Sequence, residues 1–261
     1  FAAWLSGHSG SGCTLGTSGK GVVLNPIFEE VALTGSTNAD LLQRAATGAP
    51  EGLWLRADAQ DGGRGRMGRT WDSPTGNLFA STIVRLQPTD PQAPTLAFVA
   101  ALAVRDTLHQ IAPECAVQIK WPNDVLSADG AKLCGILLER TGDAVVIGVG
   151  INLTSSPEIP GRATTHLKAL GCLPPHPQAV TEILASNMAI WMGRWRQYGL
   201  QALTTEWQKA AHPVGTALSV QLPNGDREDG LYAGLTAEGA LQLRLADGSI
   251  HAIHAADVFL V

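Results

Sequence analysis

One stretch, residues 62–77, constrains this chain more than any other. Its first seven residues contain four glycines, and three arginines are interleaved with them before a tryptophan follows. Glycines let a backbone bend sharply and approach a ligand closely. Arginines at every second or third position cannot all pack inward, because each guanidinium keeps its charge and five donors. The stretch therefore predicts a flexible loop that closes over an anion, with Trp71 offering a flat face on which a base can stack.

Two other interpretations of this loop compete with the first. Gly63, Gly65 and Gly68 have the spacing of a dinucleotide-binding fingerprint, which requires a helix directly afterwards. The residues that follow have no apolar period and include the helix breaker Pro74, so the fingerprint is disfavoured. A solvated basic hairpin loop without a ligand stays open as the second alternative.

Composition and charge limit the class of protein. A length of 261 residues fits one large domain, or a main domain with a small appendage. Hydrophobic residues make up 45% of the chain and charged residues 16%, which indicates a folded protein with a sizeable core. The net charge of −5 argues against general nucleic-acid binding, so the basic loop is an exception in an acidic chain. No apolar run reaches membrane-spanning length, and no membrane partner is expected.

The cysteines and the first residues bear on localisation. Cys13, Cys115, Cys134 and Cys172 lie far apart without a C-x-x-C pair, which indicates a reducing cytoplasm and neither a zinc site nor a disulfide framework. Residues 1–25 are rich in glycine and serine and show no periodicity, so they are predicted to be a loose tail. Their short apolar start lacks basic residues, which argues against a signal peptide. A cytoplasmic protein is therefore expected.

Hydrophobic periodicity predicts alternating strands and helices after this tail. The predicted strands cover residues 31–33, 52–57, 77–86, 117–120, 132–139 and 144–149. The predicted helices follow an N-cap at Ser36, open at Pro94, and cover about residues 180–195 and 200–210. The helix after Pro94 is expected to be buried, and Trp191 and Trp195 are assigned to packing. The arginine loop is thus expected to lie between two strands.

From residue 213 the pattern changes to short strands separated by turns. Asn224-Gly225 and Asp247-Gly248 lie between alternating runs, which is a strong hairpin signal. About fifty residues of this kind predict a small barrel at the C-terminal end. The predicted organisation is a main domain over residues 26–211 and a barrel over residues 212–261.

Five polar and glycine-rich motifs follow one another along the chain. They are Gly35-Ser36-Thr37-Asn38; Gln60 with Gly63-Arg64-Gly65-Arg66-x-Gly68-Arg69-x-Trp71-x-Ser73-Pro74; Lys120-Trp121-Pro122-Asn123-Asp124; Lys132-x-x-Gly135-Ile136-Leu137; and Gly148-x-Gly150-Ile151-Asn152. Each motif alone is weak evidence for a function. The ordered set is specific for one family, because each motif falls at a strand end or between strands. Together the motifs resemble those of biotin protein ligases, and the resemblance covers residues 27–261.

This resemblance implies a fold and a reaction. The fold is α/β (α+β): a mixed sheet flanked by helices, related to class II aminoacyl-tRNA synthetases, with a small C-terminal SH3-like β-barrel. The carboxylate of biotin would attack the α-phosphate of ATP, giving biotinyl-5′-AMP and pyrophosphate. A lysine amine of a biotin carboxyl carrier protein, from acetyl-CoA carboxylase or a similar biotin-dependent carboxylase, would then attack the mixed anhydride. Mg²⁺ is the implied cofactor, and its ligands stay unknown.

The resemblance also assigns biotin to particular residues. Ser36, Thr37 and Gln60 are expected to contact its ureido ring. The loop is expected to order over biotin and its activated carboxyl, and Lys132 is expected to contact that carboxylate and the α-phosphate. The expected biotin-binding residues are Ser36, Thr37, Gln60, Gly63, Arg64, Arg66, Lys132 and Gly135.

Further residues are assigned to ATP and to catalysis. The expected ATP-binding residues are Arg66, Arg69, Trp71, Lys120, Asn123, Lys132 and Asn152, with Trp71 against the adenine. The expected catalytic residues are Arg64, Arg66, Lys132 and Asp124, the last orienting the incoming amine or a metal-bound water. Capping of a turn or strand end is the alternative for Asn123, Asp124 and Asn152, and an exposed position is the alternative for Lys132.

Three alternatives bear on the expected function. Family members that double as repressors carry a winged helix-turn-helix before the catalytic part, and the 35 residues before Ser36 lack helical periodicity and basic character. A ligase without DNA binding is therefore expected. A lipoate-type protein ligase of the same fold and a non-catalytic regulator that binds biotinyl-AMP are the alternatives, and a homodimer stays open.

Overall fold

The computed structural model describes residues 26–261, so the predicted loose tail at residues 1–25 lies outside the described residues. The strands are β1 (Ile27–Thr34), β2 (Leu53–Gln60), β3 (Leu78–Arg85), β4 (Val117–Lys120), β5 (Asp124–Ser127), β6 (Lys132–Thr141), β7 (Ala144–Ile151), β8 (Ala217–Gln221), β9 (Arg227–Leu235), β10 (Leu241–Arg244), β11 (Ile250–Ile253) and β12 (Asp257–Leu260). The helices are α1 (Thr37–Ala46), α2 (Leu96–Ile111) and α3 (Pro177–Ala210).

Seven strands form one mixed sheet in the order β1-β2-β3-β7-β6-β5-β4. β1 and β2 are parallel and are joined through α1, whereas the other neighbouring strands are antiparallel. The predicted mixed sheet flanked by helices is thus confirmed. The sequence prediction missed β5, because four residues after a Trp-Pro-Asn turn are too few to show a strand period.

The two faces of this sheet pack against different elements. Along β3, Leu78, Ala80 and Val84 belong to the large core formed with α2 and α3, whereas Ile83 packs with α1. Side chains alternate along a strand, so Phe79 and Ser81 point to the α1 face. Because α1 is only 10 residues long, it covers part of that face and leaves a cavity beside it.

The helices begin and end largely as predicted. Ser36 is the N-cap of α1, and its hydroxyl accepts a hydrogen bond from the Ala39 amide. α3 is interrupted at Gly199, which has a φ of 71°, and the two predicted helices correspond to its two parts. Trp191 and Trp195 are buried in the core, as expected.

The last five strands form a second, antiparallel sheet in the order β11-β10-β9-β8-β12. Gly225 and Gly248 have φ values of 92° and 86° in the turns that the sequence predicted. β11 and β12 are the two edges, and no strand pairing joins them in the described part of the chain. A closed barrel is therefore not observed, and the SH3-like character stays a prediction.

Two cysteines are paired, contrary to the expectation, drawn from their spacing, of a reduced chain without disulfides. Cys115 and Cys172 form a disulfide across 57 residues of sequence. The pairing was missed because the fold, and not the sequence spacing, brings the end of α2 beside the segment before α3. Cys134 is buried and free. Within residues 26–261, no helix combines the length and the apolar character that crossing a membrane requires.

Asn77 links β3 to the segment that leaves β7, and it provides a test of the fold. Its Oδ1 accepts hydrogen bonds from the amides of Leu153 and Thr154, both at 2.9 Å. We expect Asn77→Ala to lower the free energy of unfolding by about 1–3 kcal/mol, because the buried Leu153 amide loses its acceptor. Urea denaturation measures this, with Asn224→Ala in an exposed turn as the control. Equal stability of the two variants would contradict the prediction.

Candidate active site

A cavity of about 300 Å³ lies on the α1 face of the large sheet, next to the arginine loop. Its floor is formed by β3, β7 and β6, and its rim by the loop and by the first turn of α1. Strand register explains the floor, because Ser81 and Leu137 both pair with Gly148, and Phe79 and Gly135 both pair with Gly150. These side chains share one face of the sheet because side chains alternate along each strand.

Two glycines of the floor hold the Trp71 indole. A Cβ on Gly135 would lie 2.7 Å from the ring, and so would a Cβ on Gly150. Real Cβ atoms do not approach so closely, so the indole can lie over these neighbouring strands only because both residues are glycine. The Lys132 ammonium is 5.1 Å from the centroid of the same ring, within cation–π range. The indole and the ammonium therefore form one surface of the cavity.

One end of the cavity is lined by neutral polar groups. The Thr37 amide donates to Gln60 Oε1 at 2.8 Å, and the Thr37 hydroxyl lies 2.7 Å from the Ser81 hydroxyl. Gln60 Nε2 donates to Ser73 Oγ at 3.0 Å. Thr37 and Ser81 are buried in this structure. Several hydrogen-bonding groups are thus held rigidly at a site that bulk water barely reaches.

The other end of the cavity is charged and contains a buried carboxylate. Asp124 Oδ1 lies 2.6 Å from Lys132 Nζ, and Asp124 Oδ2 lies 3.3 Å from Lys120 Nζ. Asp124 is only 5% exposed. Burial opposes its ionisation, but the two ammonium groups outweigh burial and lower its pKa below the usual value. Burial also lowers the pKa of Lys120.

The arginine loop is attached to the C-terminal sheet. Arg66 donates to Asn123 Oδ1 at 3.1 Å and to the Ala256 carbonyl at 3.3 Å. The Asp257 carboxylate forms ion pairs with Arg69 at 2.8 Å and with Arg162 at 3.2 Å. The loop therefore lies closed over the cavity, between the floor of the large sheet and the start of β12.

Most of the predicted site residues line this one cavity. They are Ser36, Thr37, Gln60, Arg64, Arg66, Arg69, Trp71, Asn123, Asp124, Lys132 and Gly135. Arg64 is exposed, and its side chain makes no hydrogen bond or ion pair among the described residues. The loop does lie between two strands, as the sequence predicted.

Three predicted site residues do not line the cavity, and each has a local reason. Gly63 packs inside its own loop, where a Cβ would collide with the Trp71 carbonyl. Lys120 points to the second sheet and donates to the Val258 carbonyl at 3.0 Å. Asn152 is buried and donates to the Thr165 carbonyl at 3.0 Å, which is the capping alternative considered for it.

The structure adds cavity residues that the sequence prediction missed. Asn38, Ser81, Arg162 and Asp257 all line the cavity. Asn38 belongs to a predicted motif, but no role was assigned to it. Ser81 lies in a strand that was identified only by its apolar character, and Asp257 is 188 residues from Arg69. Only the alternation of β3 could have indicated Ser81, and no sequence signal indicated Asp257.

The buried carboxylate makes stability depend on pH. Because the folded pKa of Asp124 is lowered, its contribution is present above the unfolded pKa of about 4 and is lost as pH falls through the folded value. We expect Asp124→Asn to lower the free energy of unfolding by about 3 kcal/mol at pH 7. The loss should shrink below about pH 4. Urea denaturation at both pH values tests this, with exposed Asp226→Asn as the control, and a pH-independent loss would contradict it.

Comparisons with known proteins agree with this geometry. The biotin/lipoate A/B protein ligase family matches residues 32–152, and the biotin protein ligase C terminal domain matches residues 218–261. The biotin–[acetyl-CoA-carboxylase] ligase of Paracoccus denitrificans is 36% identical over 241 residues, which cover 88% of this chain and 98% of the relative. The ligase of the same name from Mycobacterium tuberculosis is 36% identical over 236 residues, with 88% of each chain covered.

Solved structures show the same fold. A biotin protein ligase from Aquifex aeolicus, in complex with biotin and ATP, has a TM-score of 0.78 at 22% identity and covers 90% of this chain and 99% of its own. A biotin protein ligase from Leishmania major, in complex with biotinyl-5-AMP, has a TM-score of 0.64 at 23% identity and covers 88% and 99%. With two matching family domains and relatives of 36% identity over nearly their whole length, the chain belongs to the biotin protein ligase family.

Proposed function

We propose that this protein is an ATP-dependent biotin–protein ligase, which activates biotin as biotinyl-5′-AMP and transfers it to a lysine of a carrier protein. The observation that carries the proposal is the charge of the cavity. Five cationic side chains and two carboxylates line it, an excess of three positive charges in a chain whose net charge is −5. A neutral polar pocket adjoins this charge, which suits a ligand that is polar at one end and anionic at the other.

Electrostatics explains why cations gather here. Two unit charges 4 Å apart repel by about 4 kcal/mol at an effective dielectric constant of 20. A carboxylate that approaches a triphosphate meets several such repulsions, so neutralisation is the main catalytic requirement. Arg64, Arg66, Arg69, Lys132 and Arg162 can supply it, because all of them line the cavity.

Biotin fits the half of the cavity next to α1. The ureido ring would bind among Ser36, Thr37 and Gln60, whose hydroxyl and amide groups are held by hydrogen bonds and face the cavity. The carboxylate would then lie towards Arg64 and Lys132. Gly63 would act indirectly in this arrangement, by allowing the two sides of the loop to pack closely.

ATP fits the half of the cavity next to Trp71. The indole offers one face to the adenine, while Gly135 and Gly150 support it from the floor. Asn123 lines the same region, and Arg69 is held by Asp257. Lys132 lies where the two substrates would meet and would stabilise the charge that develops on the α-phosphate.

The reaction then has two steps. A carboxylate oxygen of biotin attacks the α-phosphorus, and the bond to the bridging oxygen breaks to release pyrophosphate. The carrier amine attacks the acyl carbon, AMP leaves, and the amine loses a proton. Asp124 is a poor acceptor for that proton because its pKa is lowered by two ammonium groups. Its proposed role is to hold Lys132 in place. This role differs from the one expected from the sequence, which was to orient the incoming amine or a metal-bound water.

Mg²⁺ belongs to this proposal only as an ion carried by ATP. The two carboxylates of the cavity are each engaged by two cationic side chains, Asp124 by lysines and Asp257 by arginines. Mg²⁺ prefers free carboxylate and phosphate oxygens. The described cavity residues therefore do not form a site for the metal by themselves, and no step is assigned to it.

The remaining predictions become parts of the same proposal. The names of the relatives support the biotin carrier of acetyl-CoA carboxylase as the partner, and a cytoplasmic location is proposed together with that partner. The unit at residues 26–211 would carry the chemistry, and the SH3-like unit at residues 212–261 would support it. Lipoate is the less favoured substrate, because both 36% identical relatives are named as biotin ligases.

One assay tests the proposed function directly. We expect purified protein, ATP and biotin to label a biotin carrier domain, detected by mass spectrometry, and lipoate not to replace biotin. Lys132→Met should reduce the rate at least about 100-fold, because the charge at the α-phosphate is lost. Lys168→Met, an exposed lysine outside the cavity, is the matched control. Binding of biotinyl-AMP without its formation and without carrier labelling would indicate the non-catalytic regulator instead.

The closed loop generates a second prediction. Arg66 connects the loop to Asn123 and Ala256, so Arg66→Gly should loosen the cover over the reactive anhydride. We expect release of biotinyl-AMP to rise by about tenfold or more, since charged hydrogen bonds worth roughly 1.5–3 kcal/mol each are lost. Biotin labelling of bystander proteins in a lysate blot measures the release. Arg227→Gly, at an exposed ion pair, is the control, and unchanged labelling specificity would contradict the guarding role.

A further inference from the structure

A hydrogen-bond chain at the polar end of the cavity has donor directions that can be worked out from its two ends. Each end is a group that can only accept a hydrogen bond, an ionised carboxylate on one side and a backbone carbonyl on the other. The chain consists of Glu139, Asn38, Ser81, Thr37, Gln60, Ser73 and the Trp71 carbonyl.

The carboxylate end fixes the Thr37 hydroxyl. Asn38 Nδ2 donates to Glu139 Oε2 at 2.8 Å and faces the Leu137 carbonyl at 3.5 Å. Asn38 Oδ1 therefore faces Ser81, whose hydroxyl donates to it at 2.6 Å. Ser81 has one proton and has used it, so the Thr37 hydroxyl 2.7 Å away must donate to Ser81. Nothing on Thr37 Oγ1 is left to donate to the cavity.

The carbonyl end fixes Gln60. The Ser73 hydroxyl donates to the Trp71 carbonyl at 3.0 Å, so it accepts from Gln60 Nε2 at 3.0 Å. Gln60 Oε1 then faces Thr37, 3.1 Å from its hydroxyl oxygen. Since the Thr37 proton points to Ser81, two acceptor oxygens lie side by side without a proton between them. Gln60 Oε1 already accepts from the Thr37 amide at 2.8 Å, so Thr37 Oγ1 is the oxygen that lacks a donor, and a donor entering from the cavity would satisfy it.

The sheet is shaped to hold the Asn38 amide in this place. Asn38 lies over Gly148 of β7, where a Cβ would collide with its Oδ1. Ser81 and Leu137 are the register partners of Gly148 on either side. The amide is therefore enclosed by three adjacent strands, and only the carboxylate of Glu139 and one backbone carbonyl are offered to its NH₂ group.

We infer that Glu139 is a positioning residue that makes the Thr37 hydroxyl a hydrogen-bond acceptor, so that this pocket requires an N–H donor on its ligand. Glu139 does not line the cavity and acts through Asn38 and Ser81. The inference rests on the proposed function and deepens it. The cyclic urea of biotin has N–H donors, whereas the dithiolane of lipoate has none.

The test compares biotin with two carbamate analogues, in each of which one ureido N–H is replaced by a ring oxygen. Isothermal titration calorimetry gives the dissociation constant of each ligand. Dividing each analogue's dissociation constant by that of biotin gives two ratios, and the larger one is compared between protein variants. For the unmodified protein we expect that ratio to be on the order of 30, because the analogue oxygen would meet acceptor oxygens.

Glu139→Lys should reverse the chain. The ammonium would donate to Asn38 Oδ1, the Asn38 NH₂ to Ser81, and Ser81 to Thr37, whose proton would turn to Gln60 Oε1, 3.1 Å away. We expect the ratio to fall by about tenfold. Glu182→Lys makes the same charge change on the exposed side of α3 and should keep the original ratio. A merely structural role for Glu139 would weaken both ligands equally, and an unchanged ratio would overturn the inference.

A second variant covers the case in which Glu139→Lys does not fold. Glu139→Met removes the carboxylate at similar length, and the ratio should then fall by about threefold because the Asn38 amide is no longer held in one orientation. An unchanged ratio in a folded Glu139→Met protein overturns the inference. If calorimetry detects no binding of biotin to the unmodified protein, the proposed function fails. If biotin binds and the analogue-to-biotin ratio is the same in the Glu139 variants, only the role of Glu139 fails.

Discussion

The site depends on one buried ion cluster, in which the Asp124 carboxylate lies between the ammonium groups of Lys132 and Lys120. Buried charges are costly alone and stable only when they are paired. Strand pairing brings them together, because Lys120 pairs with Asp124 across β4 and β5, and Lys132 begins β6 beside them. The sheet thereby fixes the direction of the lysine ammonium at the cavity. The proposed position of the biotin carboxylate and of the α-phosphate depends on where this ammonium lies.

The cavity combines two environments that a single ligand must match. Near α1, hydroxyl and amide groups are fixed by hydrogen bonds to one another and carry no charge. Near Trp71, cations surround an aromatic plane that rests on glycines. The boundary between the two halves lies over β7, the strand at the centre of the sheet. A ligand with a neutral polar head and an anionic tail satisfies both halves at once.

Sequence reasoning predicted the elements that depend on local pattern. The N-cap at Ser36, the loop between β2 and β3 and the hairpins at Gly225 and Gly248 all follow from neighbouring residues. The strand that carries both Lys132 and Gly135 was also predicted. These features were predictable because turn chemistry and side-chain alternation act over a few residues.

Other features depend on contacts between distant parts of the chain, and the sequence did not reveal them. Ser81 gains its function only from the register that sets it beside Gly148. Cys115 meets Cys172 through the packing of α2 and α3, 57 residues apart in sequence. Asn152 belongs to a glycine-rich motif that predicted a contact with ATP, but its buried side-chain amide donates to a backbone carbonyl. Spacing alone cannot separate these cases, because they are decided by tertiary geometry.

The attachment of the arginine loop to β12 has a consequence for biosynthesis. Ala256 and Asp257 hold Arg66 and Arg69, so a nascent chain that has not been translated through β12 lacks both anchors. The large sheet and the α3 helix that completes its core end earlier, at Ala210. A ribosome thus exposes an open pocket for about 45 residues of synthesis, from the end of α3 to β12, before the cover can close. During that interval the growing protein could take up small ligands without being able to retain a reactive intermediate.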